Sequence, residues 1–124
     1  MTQVLAIATG GAIGALLRYW TSLAVHSRLG AGFPYGTLTV NVLGSLLMGV
    51  AYVFLVERMA VSVELRAALL IGLLGAFTTF STFSIETINL LENGEQLKAA
   101  FNVFASVSFC IMACWFGLVL GRQL

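Results

Sequence analysis

The chain has 124 residues, 60% of them hydrophobic and 9% charged, with a formal net charge of +1 and a mean hydropathy of +1.01. A soluble domain carries about 25% charged residues, so this composition belongs to an integral membrane protein. Four apolar stretches, each near the roughly 20 residues that a bilayer core demands, use up nearly all of it. That excludes a soluble catalytic domain or nucleotide fold, and the lack of a basic run excludes nucleic acid as a partner.

The first stretch runs from Val4 to Val25. Gly10 and Gly14 give it a small-xxx-small face for close helix packing, and Arg18 extends that face by one turn. An arginine at mid-bilayer costs about 2.5 to 3.5 kcal/mol, so Arg18 is expected near the interface beside Tyr19 and Trp20. It serves there as an anchor or as a contact for an anion or a helix C-terminus. No basic segment precedes the first apolar run, so the chain is expected to begin in its own first span. His26, in the following loop, reads as a solvated bystander, and Pro34 suits a helix start. The second stretch, Thr37 to Val56, carries Thr37, Asn41 and Ser45 at every fourth position and hence on one face. Such a face is either a polar stitch between helices, worth about 0.6 kcal/mol, or the lining of a polar path.

The third stretch, Val63 to Leu91, would run about 43 Å as one helix at 1.5 Å per residue, against a core of about 30 Å. Its segment from Gly72 to Glu86 holds Gly72, Gly75, five hydroxyl side chains (Thr78, Thr79, Ser81, Thr82, Ser84) and Phe77, Phe80 and Phe83 at a spacing of three. Glycines and β-branched threonines weaken helical order, and the reading is a break near residues 75 to 79. Within a bilayer a break survives only where protein, water or an ion satisfies the freed backbone. Asn93-Gly94 then marks a turn. The fourth stretch, Ala99 to Gly121, has a second polar face in Asn102, Ser106 and Cys110. Cys110 and Cys114, four apart on one helix face, read as small apolar residues, since two thiols without His or acid neighbours complete no metal site.

Four spans put both termini on one side. Arg58, Arg66 and Arg122 fall on that side and Arg18, Arg28 and Lys98 on the other, so the positive-inside rule assigns no orientation. The expectation is insertion in both directions, with copies pairing as an antiparallel dual-topology homodimer.

Gly10-Gly11-Ala-Ile-Gly14-Ala-Leu-Leu-Arg18-Tyr19, then Gly36-Thr37-Leu-Thr-Val-Asn41-Val-Leu-Gly44-Ser45, then Gly72 through Glu86 closely resemble the small fluoride channels, Fluc or CrcB, in the same order along the whole chain. The resemblance implies an all-α membrane protein, residues 1–124 forming one four-helix transmembrane domain with a broken third helix, set in the bacterial inner membrane as an antiparallel dimer with two fluoride pores. It further implies that Phe80 and Phe83 form an aromatic box beside the ion path, that Asn41 donates an amide to it, and that Ser81, Thr82 and Glu86 belong to its polar track or mouth; Thr37 is placed on the path from the stripe it shares with Asn41. Backbone carbonyls of Gly75 and Thr78 from both copies would hold a structural sodium ion. The fourth span departs most from the family pattern, with Asn102 standing where a tyrosine is common and Cys110 where a serine or small residue is; Asn102 and Ser106 are placed on the path from their polar stripe.

The rival reading is a small multidrug-type proton-coupled exporter, which needs a membrane-embedded carboxylate. With Glu64 expected at headgroup level where the third stretch opens, Glu86 is the only acid left inside a span, and it falls toward an interface. A purely structural helix bundle accounts for the glycines and not for two polar stripes. An enzyme is not expected, because no nucleophile, base and orienting group occur together.

Overall fold

A computed structural model describes residues 1–124, all of whose regular structure is helical. The elements are α1 (Thr2–Leu29), α2 (Tyr35–Arg58), α3 (63–77), α4 (Phe80–Glu92) and α5 (Gln96–Gln123). Four helical spans are long and apolar enough to cross a membrane, with α3 and α4 together making the third, Val63–Glu92. The helices overrun the stretches predicted from hydropathy by up to a turn, because apolarity ends at the headgroups while backbone hydrogen bonding continues past them. The last turns of α2, Val53–Arg58, and the middle of α3, Ala67–Leu74, are π-helical.

The third span parts at Thr78 (φ −89°, ψ 159°) and Thr79 (φ −154°, ψ 115°), both extended. Gly75, which the sequence suggested as a weak point, is itself helical at φ −62° and ψ −38°. The break therefore falls on the two β-branched residues, whose side chains crowd the preceding helical turn and sit easily in extended backbone.

Spans one and three pair, as do spans two and four, and each pair meets backbone to backbone. A Cβ on Gly14 would lie 2.1 Å from the Leu73 carbonyl oxygen, and one on Gly49 would lie 2.2 Å from that of Cys114. Only glycine permits such an approach. At one end of the bundle Arg122 makes a two-pronged ion pair with Glu57, at 2.8 and 3.2 Å, while Arg58 donates to the Arg122 carbonyl and Arg66 to that of Leu55. At the other end Lys98 bridges Glu95 and the Gly32 carbonyl, and Gly94 turns the chain at φ 74°. Only 24 of the 124 residues are buried, so most helix surface is left to lipid or to another chain.

Candidate functional site

The break exposes main-chain groups that a continuous helix would have used internally, and α2 supplies their partner. Asn41 reaches Thr79 with both ends of its amide: Nδ2 donates to the Thr79 carbonyl at 2.9 Å, and Oδ1 accepts from the Thr79 N–H at 2.7 Å. One side chain thus takes the place of a neighbouring peptide group, which answers the demand that backbone inside a bilayer be satisfied. The Thr79 hydroxyl caps α4 by accepting from the Thr82 N–H at 3.2 Å. It also donates to the Thr82 hydroxyl at 3.0 Å and lies 3.3 Å from that of Ser81.

The carbonyls of Gly75 and Thr78 are among those that lose their helical donors in the exchange. The Thr79 N–H that would close onto Gly75 goes to Asn41, and the Thr82 N–H that would close onto Thr78 goes to the Thr79 hydroxyl. Gly75 is exposed and Thr78 half-buried. The C-terminal end of α3, carrying free carbonyls, abuts the N-terminal end of α4, so the break presents an end suited to cations beside one suited to anions. Nowhere do three His, Cys, Asp or Glu side chains converge, and the oxygens on offer to a hard cation are these main-chain carbonyls.

Two cavities meet at Thr79. One, of about 620 Å³, opens between α1, the α1–α2 loop and α4, and is lined by Arg18, His26, Thr37, Thr79, Thr82 and Glu86 among others. Here the Thr37 hydroxyl donates to the Glu86 carboxylate. The other, of about 400 Å³, lies between α2, α4 and α5, and its wall includes Asn41, Ser45, Thr78, Thr79, Phe80, Phe83, Ser106 and Cys110. The rings of Phe80 and Phe83 stand 5.2 Å apart at 50°. Phe83 is buried, whereas Phe80 is 74% exposed on the outer face of the chain.

The residues singled out in the sequence therefore divide. Thr37, Thr82, Glu86 and Arg18 share the first cavity; Asn41, Phe80, Phe83, Ser106 and Thr78 share the second. Ser81 sits exposed beside the cap and lines neither. Asn102 is 2% exposed and walled off from both: its Nδ2 donates to Thr87 at 2.9 Å, and its Oδ1 accepts from Ser106 at 3.4 Å. Gly10 and Gly14 lie in the α1–α3 seam, away from either cavity. Sequence reasoning counted Thr79 among the hydroxyls of the break and gave it no place on the path, yet it is the one residue common to both cavities, and a threonine is a favoured residue just before a helix start. It also read His26 as a bystander, and nothing in the sequence marked Met48, which the second cavity includes.

Residues 5–118 match the family described as CrcB-like protein, Camphor Resistance (CrcB). The chain belongs to the CrcB family. Among its relatives in that family, the fluoride-specific ion channel FluC of Methylococcus capsulatus is 54% identical over 98% of this chain, which spans about half of that longer protein, 54%. The FluC of Magnetococcus marinus is 49% identical over 97% of this chain and 98% of its own length, and that of Geobacter sulfurreducens 48% identical over the whole of both. Every residue of the CrcB site described above, from Arg18 to Ser106, falls inside the matched region.

Proposed function

We propose that this chain is a fluoride channel of the inner membrane, conducting the ion passively and so lowering cytoplasmic fluoride. The observation that carries the reading is the parted third helix, whose open backbone is braced by Asn41 between two polar-walled cavities that touch at Thr79. Fluoride is small and strongly hydrated, and a path for it must replace water donors with protein donors. The second N–H of the Asn41 amide, not used on Thr79, and the hydroxyl of Thr82, which accepts from Thr79 and keeps its own proton, are of that kind. The ring edges of Phe80 and Phe83 add a weakly electropositive wall. In the first cavity Arg18 faces the same space as Glu86, whose charge the Thr37 hydroxyl tempers.

The functional unit in this reading is an antiparallel homodimer with two paths. Phe80 and Gly75 are exposed in the single chain, and a second copy would cover them. The carbonyls of Gly75 and Thr78, whose helical donors are diverted, have the chemistry to hold a sodium ion shared between copies. Such an ion would neutralise four converging carbonyl dipoles and tie the two breaks together.

In liposomes holding the purified protein, fluoride should leave down its gradient without a proton gradient, while chloride stays. Efflux that requires a proton gradient would assign the chain to proton-coupled export through Glu86 instead. Phe80→Ile should slow fluoride efflux by about tenfold, roughly 1.4 kcal/mol on the barrier, with the dimer intact on size exclusion; unchanged flux would remove that ring from the path.

A further inference from the structure

The second cavity continues beyond the aromatic rings to an end that the conduction reading does not use. There it is walled by Met48, Cys110 and Cys114. From sequence the two cysteines read as packing residues, because no third ligand accompanied them. The fold supplies one. Spans two and four run parallel and in register, with Ser45 and Cys110 on the wall of one cavity and the backbone of Gly49 against the Cys114 carbonyl. Met48, between those two heights on α2, lines the same cavity as both cysteines. Both cysteines are free and half-buried.

Positions four apart on a helix hold their Cβ atoms about 5 to 6 Å apart. A disulfide needs them at about 3.5 to 4.5 Å, so the pair resists oxidative closure and stays a dithiol. One ion bound by two sulfurs at about 2.3 Å, a typical metal–thiolate length, spans at most about 4.6 Å between them, which the i, i+4 spacing accommodates. Two thiolates and a thioether, with no carboxylate or imidazole, select soft metals over hard ones.

We propose that Cys110, Cys114 and Met48 form a site for a soft, thiophilic d10 cation, the class of Cu(I), Ag(I) and Hg(II), and that an ion held there blocks the cavity. With Hg(II) the step is the formation of two mercury–sulfur bonds and the release of two protons from the thiols to water. The binding half stands on the sulfur cluster alone. The blocking half rests on the reading of this cavity as part of the fluoride path.

Mercuric ion, added as the nitrate, is titrated onto the purified dimer, and the mercury–thiolate absorption is followed. One ion per chain should bind and should survive excess glutathione. Cys110→Ser and Cys114→Ser, each checked for an intact dimer, should surrender the ion to glutathione, because a single thiolate competes poorly with a free monothiol. Met48→Leu should retain it with about tenfold weaker affinity, as loss of a supporting ligand typically does. If intact wild-type protein loses the ion to glutathione as readily as the single-cysteine variants, the site is overturned. In liposomes the bound ion should cut fluoride efflux of the wild type, with recovery on adding a dithiol chelator, while each variant is compared with its own untreated flux. Tight binding with unaltered efflux would keep the site and remove this cavity from the path, so the two halves fail separately.

Discussion

The two pieces of the third span are held by opposite means. From residue 67 onward α3 is apolar on every side and packs on α1 by shape, glycine backbone against carbonyl, as at Gly14 and Leu73. α4 carries the hydroxyls and is held by hydrogen bonds from its neighbours: Asn41 to Thr79, Thr37 to Glu86, and Asn102 to Thr87. In lipid there is no hydrophobic drive between helices, so close backbone packing and polar bonds are the two means available. The chain uses one on each side of residues 78 and 79. Packing by shape needs no polar group, and the hollow along the α1–α3 seam is walled mainly by apolar residues, whereas bonding by side chains requires polar groups at depth, and it is along that half that the two polar-walled cavities open.

The sharpest way to break this contrast is Asn41→Leu. It strands a donor and an acceptor of Thr79 at once, at about 1 to 3 kcal/mol for each buried group left unpaired. Thermal unfolding in detergent should show the largest loss of the set, and fluoride efflux should fall with it. Near-native stability would mean that water, not Asn41, satisfies the break. On the other side of the contrast, Gly14→Ala places a methyl 2.1 Å from the Leu73 oxygen and forces the α1–α3 seam apart, for about 1 to 3 kcal/mol of overpacking. Because Gly14 lines neither Arg18's cavity nor that of Asn41, efflux per folded protein should fall far less than stability does. An equal fall in both would mean that the shape-packed half also sets the path. Thr79→Ala comes next, removing the α4 cap at about 1 kcal/mol, with Thr79→Ser restoring it; failure of the serine to rescue would show that the methyl, not the hydroxyl, is what α4 requires.

How much of this was legible beforehand follows the same divide. Local chemistry was readable: the four spans from apolar length, the parting of the third from Thr78-Thr79, the turn at Asn93-Gly94, and the periodic face of Thr37, Asn41 and Ser45. Pairings across the bundle were not. That Asn41 would spend its amide on the Thr79 backbone depends on the depth at which α2 passes the break, and no spacing encodes that depth. Asn102 shows the same limit from the other side: the polar stripe placed it on the path, and the fold buries it against Thr87 and Ser106, partners that spacing along one helix does not reveal. Likewise Met48 looked like one more apolar residue until the α2–α5 register set it beside the cysteines.

The smallest effect is expected at the centre of the break, from Thr78. Its hydroxyl donates to the Leu74 carbonyl at 3.1 Å, an oxygen already serving the Thr78 N–H at 3.2 Å, so the bond is redundant to the helix. Its methyl does more, since a Cβ on Gly44 would lie 2.2 Å from it: the methyl occupies the space that glycine leaves on α2. Thr78→Val keeps the methyl and drops the hydroxyl, and its stability should stay within about 0.5 kcal/mol of wild type, as for a substitution that disturbs no packing. Thr78→Ser does the reverse and should lose about 1 kcal/mol, the scale of one buried methyl. Under the sodium reading only the Thr78 carbonyl meets the ion, so efflux and dimer stability in sodium should be the same for valine as for threonine. A valine variant that lost its response to sodium would place the hydroxyl on the cation and move the site from backbone to side chain.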